Sequence, residues 1–120
     1  MSGNNGYADL TLADFRKVRE RRVEKVNVPD LGGTAYLQSL RGHELEQWED
    51  SRLERRGGNV KLNAENTRAS LLVLTLVSAD GRPIGFTEDD VKGLGEQDAR
   101  ALNQLFGKAC EMNGLTKDDL

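Results

Sequence analysis

Side chains that carry chemistry are scarce in this sequence of 120 residues. It contains one histidine, His43, and one cysteine, Cys110, which lie 67 positions apart with no nucleophile motif around either. A lone cysteine excludes an internal disulfide, which suits a reducing compartment. The carboxylates are scattered and no histidine or cysteine cluster accompanies them, so the sequence predicts no metal site and no cofactor. We therefore expect a protein that acts by binding and is not an enzyme.

The sequence also lacks a long apolar run. The longest, LLVLTLV at residues 71–77, is far shorter than the roughly 20 residues that a membrane-spanning helix needs. The first ten residues, MSGNNGYADL, have neither a basic leader nor an apolar core, so we expect no signal peptide. The net charge of −3 argues against a general affinity for nucleic acid. These absences predict a cytosolic protein with no membrane segment.

One segment departs from the acidic balance of the chain. Residues 16–25, from Arg16 to Lys25, hold six Lys or Arg and two Glu, a local excess of +4. Such a segment can neutralise phosphates, but no stacking aromatic residue is interleaved with its charges. We interpret it as a solvated link between a helix and a strand. A small nucleic-acid-associated regulator that uses this segment is the alternative hypothesis.

The N-terminal residues include few apolar side chains that could be buried in a core. Residues 1–10 are rich in glycine and asparagine and predict a disordered start. Thr11 is placed to cap a helix, with Phe15 and Val18 three positions apart on one face. We predict that this helix is brief.

Two alternating stretches follow. In VEKVNV, residues 23–28, Val26 and Val28 repeat at period two, and TAYLQSL, residues 34–40, alternates again. Between them PDLGG, residues 29–33, supplies turn residues for a longer hairpin connection. This pattern predicts an antiparallel β-hairpin.

A charged helix is predicted next, in GHELEQWEDSRLERRGG at residues 42–58. Its apolar residues are Leu45, Trp48 and Leu53, and the glycine pair predicts its end. Trp48 either anchors this thin helix in the core, which we favour, or contacts a partner. Leu45 and Tyr36, on the hairpin, complete the set of candidate partner contacts.

The segment at residues 63–78 is ambiguous, because its Leu/Val run suits a buried strand or a buried helix. Asn63 is a good N-cap, Glu65 would lie in the first turn, and the segment exceeds a usual strand length. We therefore predict a helix over 63–78. The preceding GGNVKL, residues 57–62, is predicted to be a linker.

SADGRPIGFTEDDVKGL, residues 78–94, resembles a calcium loop at first sight. With Gly81 at loop position 6, however, Leu76 falls at position 1 and Thr87 at position 12. Both anchoring carboxylates of an EF-hand loop are then missing. The register argues against calcium binding.

Helix capping explains the same stretch better. Asp80 and Gly81 are typical of a turn, and Thr87 is placed as the N-cap of a helix. Asp90 then stands at the third helical position of a capping box, and Phe86 before the cap is placed for a hydrophobic staple. These residues are predicted to be structural.

The last helix is predicted in EQDARALNQLFGKACEMNG, residues 96–114, where apolar residues recur at helical spacing before a final glycine. Taken together, the patterns predict an α+β protein that is mainly α. We expect one small domain at residues 11–115, with an N-terminal β-hairpin followed by about four helices. Residues 116–120 are expected to form a tail.

The order of these elements resembles the tail assembly chaperones of long-tailed bacteriophages. The pieces that carry the resemblance are GGTAYLQSLRGHELEQWE and SADGRPIGFTEDDVKGLGEQDARALNQL, within residues 11–115. In the second piece the turn, the staple and the final helix succeed each other at the spacing of the family. The resemblance rests on order and spacing, and it includes no catalytic motif.

The resemblance implies a non-enzymatic protein of the infected bacterium's cytoplasm that binds the tape measure protein during tail assembly and is absent from the finished virion. In many members a frameshift-extended form also engages the tail tube protein. Several copies would be needed along one tape measure protein, so self-association is expected. Partner type separates this hypothesis from the regulator, because nucleic-acid binding would depend steeply on salt.

Overall fold

The computed structural model describes residues 6–62 and 65–116, apart from the side chains of residues 54–56, 62 and 88. The predictions for residues 1–5, for Asn63 as a helix cap and for residues 117–120 lie outside this range. The described elements, in chain order, are α1 (Leu12–Arg16), β1 (Val23–Val28), a 3-10 turn (Pro29–Leu31), β2 (Gly33–Gln38), α2 (Gly42–Ser51), β3 (Leu53–Arg56), β4 (Asn59–Leu62), α3 (Thr67–Thr75), β5 (Leu76–Val77), α4 (Glu88–Gly95) and α5 (Ala99–Met112).

The predicted fold class is confirmed. The structure is a small α+β domain in which an N-terminal antiparallel hairpin precedes four helices, α2 to α5, among the described residues. Strands β1 and β2 pair in register from Val23 opposite Gln38 to Val28 opposite Gly33. The alternation of apolar and polar residues at period two therefore located this hairpin correctly.

Strand β5 adds a third strand to the hairpin, in the order β1-β2-β5. It pairs with β2 through Leu37 opposite Leu76 and Tyr36 opposite Val77. Because side chains alternate across a strand, Leu37 and Leu76 lie on the face that joins the core, whereas Tyr36 and Val77 lie on the outer face. The sheet thus has one core face and one outer face.

The core lies between the inner face of the sheet and the helices α3 and α5. Helix α5 buries one full side, because its apolar residues recur at the helical period. The buried set of α5 comprises Ala101, Leu102, Leu105, Phe106, Ala109, Cys110 and Met112. The carboxylate of Asp98 caps this helix by accepting hydrogen bonds from the amides of Arg100 and Ala101 at 2.9 and 3.1 Å.

The predicted end of the charged helix and the linker after it were wrong. Helix α2 ends at Ser51, and the next residues form a second hairpin, β3–β4, that pairs Leu53 with Leu62 and Arg56 with Asn59. Gly57 and Gly58 have φ angles of +54° and +83°. Two successive residues at positive φ are what a two-residue hairpin turn requires, so the glycine pair turns a hairpin here and does not stop a helix.

The predicted helix over 63–78 was partly wrong. Helix α3 covers Thr67–Thr75, and Leu76 and Val77 leave it to form β5. The backbone groups of these two residues form hydrogen bonds with β2, and these partners are available only in the tertiary fold. Local propensity could not locate this change from helix to strand.

The N-terminus of α4 is held by a reciprocal arrangement of Thr87 and Asp90. The Asp90 carboxylate accepts hydrogen bonds from the Thr87 amide at 2.7 Å and from the Thr87 hydroxyl at 3.2 Å. Aspartate, although shorter than the glutamate of a usual capping box, therefore reaches the amide of the cap residue. Phe86, before the cap, is partly buried against the core.

Replacing Thr87 by alanine should lower the free energy of unfolding by about 0.5–2 kcal/mol, because the cap hydroxyl is lost. Chemical denaturation followed by circular dichroism measures the change. Thr87→Ser is the matched control, since it keeps the hydroxyl and should stay close to the original chain. Equal stability of the alanine and serine variants would contradict the capping role.

Candidate partner-binding surfaces

Trp48 lies in the core. Its side chain is 2% exposed, and its indole N–H donates a hydrogen bond of 2.9 Å to the hydroxyl of Ser70 on α3. The guanidinium of Arg52 covers the ring at 4.7 Å from its centroid. The indole is thus packed, hydrogen-bonded and covered by a cation, which gives it an anchoring role between α2 and α3.

The three candidate contact residues are not brought together on one surface. Leu45 is partly buried against the core and lines a groove of about 530 Å³ with Leu40, Arg22 and Asn113. Tyr36 is half-buried on the outer face of the sheet, opposite Lys25 on β1. Their role in partner binding stays a prediction, and only Leu45 and Tyr36 offer part of their surface to solvent.

The turn at Asp80 and Gly81 lies over the outer face of the sheet. The Gly81 amide donates to the Ser78 carbonyl at 2.9 Å, and Gly81 has a φ of +82°. A Cβ atom at Gly81 would lie 3.5 Å from a methyl group of Val23 on β1. A hydrogen bond from the Ser78 hydroxyl lowers the pKa of Asp80. The Asp-Gly step therefore closes a turn against the hairpin.

Part of the basic segment is used inside the molecule. Arg21 forms a bidentate ion pair with Glu44 on α2, at 2.5 and 2.9 Å. The Arg22 guanidinium donates to the Met112 carbonyl at the end of α5. Two of the six cations are therefore committed to internal contacts, which weakens the case for a phosphate-binding surface.

The ion pair between Arg21 and Glu44 predicts a pH dependence of stability. The hydrogen bonds from Arg21 lower the pKa of Glu44, so the pair contributes in full above about pH 4.5, the ordinary pKa of a glutamate. The contribution is lost as the pH falls through the lowered pKa of Glu44. Glu44→Gln should cost about 1 kcal/mol at neutral pH, and the difference from the original chain should vanish in acid.

Urea denaturation at a series of pH values measures this difference. Glu49→Gln, which changes an exposed carboxylate on the same helix, is the matched control and should leave the pH profile unchanged. A gap between the original chain and Glu44→Gln that persists unchanged into acid would contradict the assignment.

A larger groove runs along α5 beside α3 and has a volume of about 750 Å³; we call it the α3–α5 groove. Its lining includes Arg68 from α3 and Phe106, Gly107 and Cys110 from α5, followed by Leu115 after the helix. Sequence reasoning assigned the apolar residues of α5 to the core, where Phe106 and Cys110 are buried, but it did not predict the groove that runs beside them. The signal was Gly107, since a residue without a side chain leaves a gap beside Phe106.

A second apolar surface lies at the N-terminus, in residues 6–18, which we call the arm. Thr11 caps α1 within it, as the Asp14 carboxylate accepts from the Thr11 amide at 2.8 Å. No residue of α1 is buried, and Phe15 is 74% exposed. A brief helix capped by Thr11 was predicted correctly, but it ends at Arg16, so Val18 lies beyond it and does not share a helical face with Phe15.

Cys110 and His43 do not form a reactive pair. Cys110 is buried in α5, where burial raises the pKa of its thiol, whereas His43 is exposed on α2. Within residues 6–62 and 65–116, no group of three or more His, Cys, Asp or Glu side chains is arranged to hold a metal ion. In the same parts of the chain, no helix is long and apolar enough to cross a membrane.

Comparison with known proteins identifies the fold. No protein-family profile and no curated protein matches the sequence. Among solved structures, the fold is similar to that of the bacteriophage HK97 tail assembly chaperone, with a TM-score of 0.58 and 18% sequence identity over 88% of this chain and 93% of that chain. At this identity the likeness shows the fold alone. The protein thus shares its fold, over nearly the whole length of both chains, with a phage tail assembly chaperone.

Proposed function

We propose that this protein is a tail assembly chaperone of a long-tailed bacteriophage and binds the tape measure protein while the tail is built. The observation that supports this most is the fold shared with the HK97 tail assembly chaperone over 88% of the chain. The order of the sequence elements, which resembles the same family, supports it independently. The domain at residues 11–115 carries the function, without catalysis and without a cofactor.

The physical task is to cover apolar surface for a limited time. A long tape measure helix exposes apolar stripes until tube subunits surround it, and an amphipathic helix fits a hydrophobic groove. The α3–α5 groove and the smaller groove at Leu45 are concave and partly apolar. They suit reversible contact, because a factor that leaves the finished tail cannot bury a large obligate interface.

The cellular location, the copy number and the partners follow from this proposed role. The chaperone works in the cytoplasm of the host bacterium, in several copies on one tape measure protein, and is absent from the mature virion. The tail tube protein is a second partner in this scheme. Nucleic-acid binding through Arg16 to Lys25 is the weaker alternative, since Arg21 and Arg22 are engaged internally.

Co-purification tests the proposal and the contact residues together. A tagged form of this chain, co-expressed with the tape measure protein of its own phage, should capture that protein in a complex of several copies. Tyr36→Ala and Leu45→Ala should each reduce the captured amount, whereas Val60→Ala, which changes an exposed apolar residue on the β3–β4 hairpin, should not. Each variant must first show the circular dichroism of the original chain.

The same experiment distinguishes the chaperone function from the alternative of nucleic-acid binding. Capture of the tape measure protein should survive nuclease treatment, and the chain alone should show no salt-dependent shift of DNA or RNA. Capture of nucleic acid in place of the tape measure protein would overturn the proposal.

A further inference from the structure

We propose that the arm and the groove of about 530 Å³ at Leu45, which we call the Leu45 groove, act as one surface. In this arrangement the arm closes over a helix of the tape measure protein that lies in the groove. The inference rests on the proposed function and identifies the part of the chain that holds the partner. The partner is an amphipathic α-helix whose apolar stripe is bordered by acidic side chains.

The arm exposes a dense set of apolar side chains. Leu10, Leu12, Phe15 and Val18 are between 63% and 76% exposed and lie within nine consecutive positions. Single exposed apolar residues are ordinary, but a patch of this kind is typical of an interaction site. Helix α1 has only five residues, too few to be stable in isolation, so contact with a partner would stabilise it.

The Leu45 groove lies where the arm joins the domain. Arg22 and Arg41 line the groove, and the same two residues hold the link between the arm and β1. The Arg41 guanidinium donates to the Arg19 carbonyl at 3.1 Å, and the Arg22 amide donates to the Ser39 hydroxyl at 2.9 Å. The arm therefore leaves the domain at the edge of this groove, and the two surfaces are continuous.

The groove by itself offers little apolar surface. Leu40 and Leu45 are only partly exposed, and Met112 is 4% exposed. The shape of the groove is fixed by Asn113, whose side chain accepts from the Leu40 amide at 2.7 Å and donates to the Ala109 carbonyl at 2.8 Å. A helix in this groove would be covered on one side only, so its apolar stripe needs a second contact, which the arm can supply.

The arm is long enough to pass over a helix. Helix α1 rises about 1.5 Å per residue and the residues on either side about 3.3 Å each, so Leu10 can lie roughly 20 Å from Arg19. An α-helix with its side chains is about 10–12 Å across. The arm can therefore reach across a helix in the Leu45 groove and place Phe15 on the side that the groove leaves open.

The border of this surface is mainly basic. Arg16, Lys17 and Arg19 are exposed on the arm, and Arg22 and Arg41 line the groove. The Arg22 and Arg41 guanidinium groups donate to carbonyl oxygens, which do not neutralise their charge. Charge complementarity therefore favours a helix whose apolar stripe is bordered by Asp and Glu. Three of the four exposed apolar side chains of the arm are aliphatic and cannot stack on bases, which favours a protein partner over nucleic acid.

Phe15→Ser tests the arm in the capture experiment, with Leu31→Ser as the matched control. Leu31 is 48% exposed and lies near the start of α5, where Asp30 pairs with Arg100, whereas the Leu45 groove lies at the end of α5. Burial of a phenylalanine side chain is worth about tenfold or more in affinity. Phe15→Ser should therefore reduce the captured tape measure protein about tenfold, whereas Leu31→Ser should capture as much as the original chain. Circular dichroism checks that both variants are folded.

Trypsin measures the closure of the arm directly. Arg16, Lys17 and Arg19 are exposed, so trypsin should cut the free chain within the arm. In the nuclease-treated complex with the tape measure protein, these cuts should be several times slower, because the arm is held against the partner. Cleavage after Lys92, which is exposed on α4, is the internal control and should keep its rate. Mass spectrometry of the fragments identifies each cut.

The outcomes distinguish this inference from the proposed function. Equal capture by Phe15→Ser and by the original chain, or an arm that trypsin cuts equally fast in the complex, would overturn the inference and leave the proposed function intact. If the original chain captures no tape measure protein, the proposed function fails and the inference fails with it. Protection of the arm by nucleic acid alone would also overturn the inference.

Discussion

Replacing Trp48 by alanine should lower the free energy of unfolding by about 3–5 kcal/mol, the range for removing a large aromatic side chain from a core. The side chain is 2% exposed and is hydrogen-bonded to Ser70. Its loss would leave a cavity between α2 and α3 and would uncover Arg52, whose guanidinium lies over the ring. Since small domains are stable by about 5–15 kcal/mol, this substitution should remove a large part of the total.

Chemical denaturation followed by circular dichroism is the suitable measurement, because Trp48 is the only tryptophan and its fluorescence is lost with it. Trp48→Phe should lower the free energy of unfolding clearly less, because a smaller aromatic ring still fills most of the site while the hydrogen bond to Ser70 is lost. Val60→Ala, at an exposed site, is the control and should stay within about 0.5 kcal/mol of the original chain. A Trp48→Ala variant as stable as this control would show that Trp48 does not anchor α2.

This result bears on how partner binding is tested. Loss of binding in a Trp48→Ala variant does not identify a contact, because the substitution also destabilises the fold. Tyr36→Ala and Leu45→Ala are more informative, because both residues are only partly buried. Binding by folded Tyr36 and Leu45 variants is therefore the better test of the predicted contact residues.

The elements that sequence reasoning located correctly are those specified by local signals. Valines at period two marked β1, Thr11 marked the start of α1, and the apolar spacing in residues 96–114 marked α5. In each case the residues that define the element also determine its own hydrogen bonds or its own buried face. Neighbouring sequence was sufficient for these elements.

The elements that were missed depend on residues far away in the sequence. Strand β5 exists because Leu76 and Val77 can pair with β2, about 40 positions earlier. The β3–β4 hairpin depended on the backbone angles of Gly57 and Gly58, and a glycine pair is also typical of a helix end. Both mistakes arose because the same residues suit two local structures.

The candidate surfaces were the least accessible to sequence reasoning. The apolar pattern of α5 shows which side is buried, but it does not show that a groove lined by Arg68, Phe106 and Gly107 remains beside it. The sequence also did not predict that Phe15 and Val18 are exposed, because an apolar pair at helical spacing normally predicts packing against a core. Whether a groove or an apolar segment is exposed depends on how all the elements pack together in the folded chain.

The second large effect concerns the tape measure protein. Expressed alone, this partner should be mostly insoluble, because its apolar stripes are exposed to water and associate with one another. If this chain has the proposed chaperone function, co-expression with it should raise the soluble fraction of the tape measure protein severalfold, because those stripes would be covered. Gly107→Ala should preserve the effect, whereas a chain unfolded by Trp48→Ala should lose it.

The most direct test is the soluble fraction of the tape measure protein, measured by centrifugation of lysates with and without this chain and followed by gel filtration of the supernatant. The account predicts that the tape measure protein moves into the supernatant and elutes together with several copies of this chain. If the tape measure protein sediments equally in both lysates and the two proteins elute separately, the chaperone function is contradicted.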